Sequence, residues 1–175
     1  MSTAQDAPAK AIDPGTFWRL MGMRPVGAAV VAARHGDTPA GLLTLSVTHV
    51  AAAPPSVLVC VGRSTSALAT IKAAGCFAIS YLPAGAAEIA EVFGGRRGLS
   101  GAERFSVGQW TRLSTGAPVL ADAVLALDCR VAAVFAHEDT EIIVGQIADH
   151  ASAAAGAPLV AYGGRYRPLA LSEPE

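Results

Sequence analysis

The chain is poor in charge, in aromatic residues and in cysteine. Of its 175 residues 15% are charged and 6% aromatic, while 52% are apolar. A chain so hydrophobic and so weakly charged is excluded from the disordered class, because it has ample apolar surface to bury. The formal net charge of −1 gives no general attraction for polyanions, and no Lys/Arg cluster is interleaved with aromatics, so nucleic-acid binding is not expected. The three cysteines, Cys60, Cys76 and Cys129, are odd in number, lie among apolar residues and form no C-x-x-C. That pattern excludes a disulfide scaffold and suits small buried hydrophobes in a reducing compartment.

Other signatures are missing as well. No G-x-S-x-G supplies a nucleophile elbow, no G-x-G-x-x-G opens a helix after a strand, and no G-x-x-x-x-G-K-[ST] forms a P-loop. His35, His49, His137 and His150 are scattered without ligand spacing, so no metal site is expected. The N-terminal MSTAQDAPAKAIDPG has no apolar core of a signal peptide, and later apolar runs are broken by Pro, Gly or charge well short of a bilayer span. A cytoplasmic protein without membrane association is expected.

What is present suits one domain, with a disordered lead over 1–14, a domain over 15–170 and a tail over 171–175. Asp13-Pro14-Gly15-Thr16 offers a start for a short helix carrying Phe17, Leu20 and Met21. A strand over Ala28 to Arg34 turns at His35-Gly36-Asp37 into a second strand over Gly41 to Val50, and Pro54-Pro55 interrupts the ladder before the buried run Ser56 to Val61. A helix over Ala67 to Ala74, a strand over Cys76 to Leu82 and a helix over Ala84 to Phe93 follow. Ser100-Gly101-Ala102-Glu103 has the form of a capping box. Trp110-Thr111 and Pro118 to Leu120 read as edge or surface-crossing segments. A long strand over Ala123 to Val134, a turn at His137 to Thr140, a return strand over Glu141 to Ala148 and a last strand over Leu159 to Tyr162 complete the pattern. Strands outnumber helices and few helices separate successive strands, which predicts a mainly β, antiparallel, closed or partly closed barrel.

The stretch Gly41 to Gly75 is where chemistry can be argued. Arg63, Ser64, Thr65 and Ser66 join a buried strand to a helix N-terminus. Unpartnered N–H groups and the positive end of the helix dipole favour an anion such as phosphate there, and the hydroxyls and guanidinium add donors. An ordinary N-cap at Ser64 or Thr65, with Gly75 closing the helix, fits the same residues. Arg104 behind the capping box, and Arg165 and Arg167 around Tyr166, combine cations with an aromatic ring in a way that suits either phosphate pairing or surface salt bridges.

Several segments taken in order resemble the flavin reductase-like domain with an FMN-binding split barrel: FWRLMGMRPVGAAVVAA, AGLLTLSVTHVAAAPPSVLVCVGRSTSALATIKAAGCFAISYL, ERFSVGQW, GAPVLADAVLALDCRV, IIVGQI and YGGRYRPL. The resemblance runs from about Phe17 to Pro168. It implies a Greek-key-like antiparallel split β-barrel with a few short peripheral helices. The implied chemistry is NADH- or NADPH-dependent reduction of FMN or FAD at a homodimer interface, with reduced flavin passed to a partner monooxygenase.

By position, the resemblance implies that Leu45, Ser46, Val47 and Thr48 lie along the isoalloxazine ring, giving it backbone N–H groups and a hydroxyl. Arg63, Ser64, Thr65 and Ser66 would hold the ribityl phosphate, Arg104 could contribute to it, and Tyr166 and Arg167 would pack near the cofactor tail. Two positions depart from the family pattern. Glu138-Asp139-Thr140 replaces a G-D-H-like turn, so Thr140 stands where a nicotinamide-side histidine is common, with His137 three residues earlier; Leu43 stands where threonine is frequent. The alternative these departures leave is a non-catalytic flavin-binding or electron-carrier protein.

Overall fold

The computed structural model describes residues 11–153 and 156–169. The expected lead and tail lie largely outside these. Within them, Asp13 caps helix α1 (Pro14–Gly22) by accepting the Thr16 N–H at 2.9 Å. Strands β1 (Val26–Gly27), β2 (Ala29–His35), β3 (Thr38–Thr44), β4 (Thr48–Ala52) and β5 (Pro55–Gly62) precede α2 (Ser66–Ala74). Then come β6 (Cys76–Tyr81), α3 (Ala87–Phe93), a 3-10 turn (Gly101–Ser106), β7 (Trp110–Arg112) and β8 (Pro118–Leu120). The chain finishes with β9 (Leu125–His137), β10 (Thr140–Ser152), β11 (Leu159–Tyr162) and β12 (Arg165–Pro168).

The fold is a mainly β antiparallel split barrel. Its main sheet has seven strands in the order β3-β2-β6-β9-β10-β5-β4. The run expected as one strand over Gly41 to Val50 is two strands, β3 and β4, which lie on opposite edges of this sheet. Leu45 to Val47 carry the chain between the edges. Their break has a local cause, since the Thr44 hydroxyl accepts the Ser46 N–H at 3.2 Å and draws it out of the ladder.

The barrel interior is filled by Ala29, Val31, Ala33, Val57, Val59, Val61, Phe77, Ile79, Cys129 and Ile143, and α2 plugs it with Leu68 and Ile71. Gly75 ends α2 in the left-handed conformation, φ +64°, where a Cβ would be strained. Gly145 on β10 lets Phe77 in: a Cβ there would come within 2.5 Å of the ring. Burial pushes the Cys129 thiol up to about 12, with the adjacent Asp128 adding to the shift, so this cysteine is an inert core group.

A second core covers the outside of the wall. It combines Val30 and Ala32, the alternate face of β2, with α3 and the β7–β8 hairpin. Phe93, Phe105 and Trp110 meet at its centre with ring centroids 4.9 to 5.3 Å apart. β8 is therefore wholly buried and no surface crossing, although as half of the two-stranded β7–β8 sheet it is an edge strand. The segment Arg165–Pro168 forms a strand of its own, pairing with β11 in a separate three-stranded sheet with β1. Among the described residues no helix is long and apolar enough to cross a membrane.

Candidate functional site at the barrel rim

Three segments far apart in sequence converge at one rim. β10 pairs with β5 so that Thr140 lies opposite Gly62, and the Arg63 N–H donates to the Asp139 carbonyl at 2.8 Å. The β9–β10 turn is thereby fixed against the strand-to-helix turn. Beside it, the Ser46 hydroxyl accepts the Cys60 N–H at 3.0 Å and lies 2.9 Å from the Thr44 hydroxyl. β4 pairs with β5 only as far as Thr48 opposite Leu58, so Ser46 takes over the exposed edge of β5 two residues further on. Leu45–Thr48, Arg63–Ser66 and His137–Thr140 thus belong to one neighbourhood.

The turn at Arg63–Ser66 suits an anion. Thr65 is the extended N-cap of α2, φ −81° and ψ 125°, yet its hydroxyl makes no cap hydrogen bond. Ser64 and Ser66 are exposed on either side of it. The donor set of hydroxyls, first-turn N–H groups and a guanidinium fits a phosphate monoester, so the residues present are compatible with the terminal group of a flavin nucleotide. Behind the turn, Glu141 is buried at 7% exposure. Lys72 Nζ donates to its Oε1 at 2.7 Å, and Arg63 Nε stands 3.8 Å away. Sequence reasoning passed over Glu141 and Lys72. The available signal was a carboxylate on the inward face of β10, in register with Ile143 and Gly145.

The Ser46 hydroxyl is already engaged within the protein, its oxygen accepting the Cys60 N–H and lying 2.9 Å from the Thr44 hydroxyl. On this segment Thr48 is exposed, and Leu45 is exposed at 38% while Val47 packs against the barrel core. Arg104 sits elsewhere. Its Nε donates to the Leu99 carbonyl at 3.0 Å and its Nη1 to the Gly41 carbonyl at 3.1 Å, so it ties the 3-10 turn to the edge of β3. Tyr166 packs on the second core with the Arg96 guanidinium 5.5 Å over its ring, and burial pushes its hydroxyl above the usual phenol range. Arg167 is exposed on β12 opposite Val160. Among the described residues no group of His, Cys, Asp and Glu is arranged to hold a metal ion.

The β9–β10 turn is a two-residue hairpin closed by His137 opposite Thr140. Glu138 has φ +49°, the left-handed region that favours glycine, at the position where the G-D-H-like turn has its glycine. The Thr140 hydroxyl donates to the Asp139 carboxylate at 3.1 Å.

A split barrel carrying an anion-suited turn at its rim is the class of protein that fold and site define. The family described as flavin reductase-like domain matches residues 21–170. The chain belongs to the flavin reductase-like domain family. It is 34% identical over 131 residues to the FMN reductase (NADH) RutF 1 of Methylorubrum extorquens strain PA1, an alignment covering 75% of this chain and 64% of that protein. The chain thus spans just under two thirds of that relative's length. Among solved structures, it resembles the Streptomyces globisporus NADH:FAD oxidoreductase SgcE6 in complex with NAD and FAD fragments, with a TM-score of 0.82 at 30% identity over 93% of this chain and 98% of that one. It also resembles BorF, the flavin reductase component of a bacterial two-component tryptophan halogenase, with a TM-score of 0.82 at 26% identity over 90% of this chain and 98% of that one.

Proposed function

We propose that the protein is an NAD(P)H-dependent flavin reductase that reduces FMN or FAD and supplies the reduced flavin to a partner monooxygenase, working as a cytoplasmic homodimer. The observation that carries this reading is the convergence of the Leu45–Thr48, Arg63–Ser66 and His137–Thr140 segments at one rim, in a chain of the flavin reductase-like family. In it, Ser64, Thr65, Ser66 and Arg63 hold the phosphate, and Leu45, Val47 and Thr48 line the ring. Tyr166 and Arg167 pack near the cofactor tail, and Arg104 supports the site through its grip on β3.

Flavin, when bound, supplies the hydride-accepting chemistry; the protein's task is to hold ring and nicotinamide in register and keep water out. Neither task needs an acid–base triad. The homodimer is supported by β4, every residue of which is exposed, and by the exposed apolar side chains Val50 and Phe135. The names of the relatives, an NADH-linked FMN reductase, an NADH:FAD oxidoreductase and a reductase component of a two-component system, support the co-substrates and the partner class.

Stopped-flow mixing with NADH and NADPH, with FMN and FAD in turn, tests the reading. Bleaching of the oxidised flavin band at a rate that rises with nicotinamide concentration is the expected outcome. A protein that binds flavin and never bleaches it is instead the second reading, a non-catalytic flavin carrier. Thr140 at the position of the family's histidine is the observation that favours that alternative.

A further inference from the structure

Flavin chemistry gives no reason for a buried carboxylate directly behind a phosphate-binding turn, yet Glu141 lies there with two cations around it. Building on the flavin-binding reading above, we infer that Glu141 is a resting counter-ion for Arg63, and that the Glu141–Lys72 pair sets how strongly the site prefers flavins that carry a phosphate over those that do not.

The two cations are held differently. Lys72 Nζ is 2.7 Å from Oε1, within hydrogen-bond distance, and 2.6 Å from Oε2. Arg63 reaches Oε1 only at 3.8 Å through Nε, an ion pair without a hydrogen bond. Both cationic side chains are about half exposed, at 48% and 50%, against 10% for the Glu141 side chain alone. Removing every partner from a buried carboxylate is strongly unfavourable, but Lys72 alone keeps this one neutralised when Arg63 leaves. The Arg63 backbone is fixed by its bond to the Asp139 carbonyl, so departure requires only side-chain rotation. The turn carboxylates Glu138 and Asp139 are both exposed, and Asp139 accepts the Thr140 hydroxyl.

Two anions therefore compete for one guanidinium, the carboxylate behind the turn and the ligand phosphate in front of it. The outcome depends on how completely Lys72 neutralises Glu141. Removing the carboxylate releases Arg63 to the phosphate; removing the lysine tightens the carboxylate's hold on Arg63. Glu141 and Lys72 are positioning residues in this scheme, since both act through Arg63. Riboflavin shares the ring and ribityl chain with FMN and lacks only the phosphate, so it reports everything except the competition.

The test measures dissociation constants for FMN and riboflavin by fluorescence quenching at fixed ionic strength. Glu141→Gln is expected to tighten FMN about three- to fivefold and Lys72→Met to weaken it by a similar factor, with riboflavin unchanged in both. In the Arg63→Gln background the Glu141→Gln effect disappears. Parallel shifts of FMN and riboflavin in the same direction would mean general distortion of the turn and overturn the inference, as would an FMN constant that neither substitution moves. If Glu141→Gln does not fold, Lys72→Met in the presence and absence of Arg63→Gln gives the same decision. Failure of the unaltered protein to bind either flavin overturns the flavin reading itself, and is distinguishable from intact binding without phosphate discrimination.

Discussion

His137 and Thr140 face each other as the closing pair of the β9–β10 hairpin. Directly opposite residues of an antiparallel pair project to the same face, with Cβ atoms about 5 Å apart. The imidazole absent at position 140 is therefore available one strand over, on the same side of the hairpin.

If His137 serves the nicotinamide side, His137→Ala lowers kcat/KM for NADH about tenfold while the FMN dissociation constant stays put. Thr140→His restores at least part of that loss in the same background. Steady-state NADH oxidation at saturating FMN measures both, and full activity in His137→Ala rules the histidine out.

The Thr65 hydroxyl makes no cap bond, which separates binding from stability at this turn. Ser64→Ala with Thr65→Ala should weaken FMN binding by about 1–3 kcal/mol, the scale of hydrogen bonds to a charged group. It should alter unfolding stability by less than about 0.5 kcal/mol. A loss of about 1 kcal/mol in urea denaturation with unchanged FMN affinity would show the turn to be a helix cap and nothing more.

Glu138 occupies a left-handed conformation, φ +49°. Glu138→Gly should stabilise the fold by about 0.5–1 kcal/mol, since relief of the Cβ strain exceeds the extra backbone entropy of glycine in the unfolded chain. Urea midpoints at constant m-value measure this. A destabilised variant would mean that the glutamate side chain makes a compensating interaction.

Arg104 bonds the Leu99 and Gly41 carbonyls and reaches the Phe93 carbonyl at 3.4 Å. Arg104→Leu should cost about 2–3 kcal/mol of stability, because a part-buried charged donor leaves several carbonyls without it. FMN affinity should change little at temperatures where the variant is folded. A large, selective loss of FMN over riboflavin would instead give Arg104 a direct place at the phosphate.

The sequence by itself determined the elements whose signals are local. The start of α1 at Asp13-Pro14-Gly15-Thr16, the glycine stop of α2 at Gly75 and the hairpin turns at His35-Gly36-Asp37 and His137 to Thr140 were all legible, because caps and turns are decided by a few neighbouring residues. The ordered segments that mark the family were legible for the same reason. Burial of β8, separation of β3 from β4 and pairing of β12 were not, since each depends on which distant strand lies alongside. The stretch from Gly41 to Val50 reads as one strand until Ser46 is seen to clasp Cys60 at the open edge of β5. Tertiary structure alone decided that the turn at Arg63–Ser66 and the turn at His137–Thr140 are neighbours, joined through Gly62 opposite Thr140, and that Glu141 stands beside Arg63. Those relations arise from cross-strand register, which brings together residues more than 70 positions apart and leaves no periodicity in the sequence to announce it.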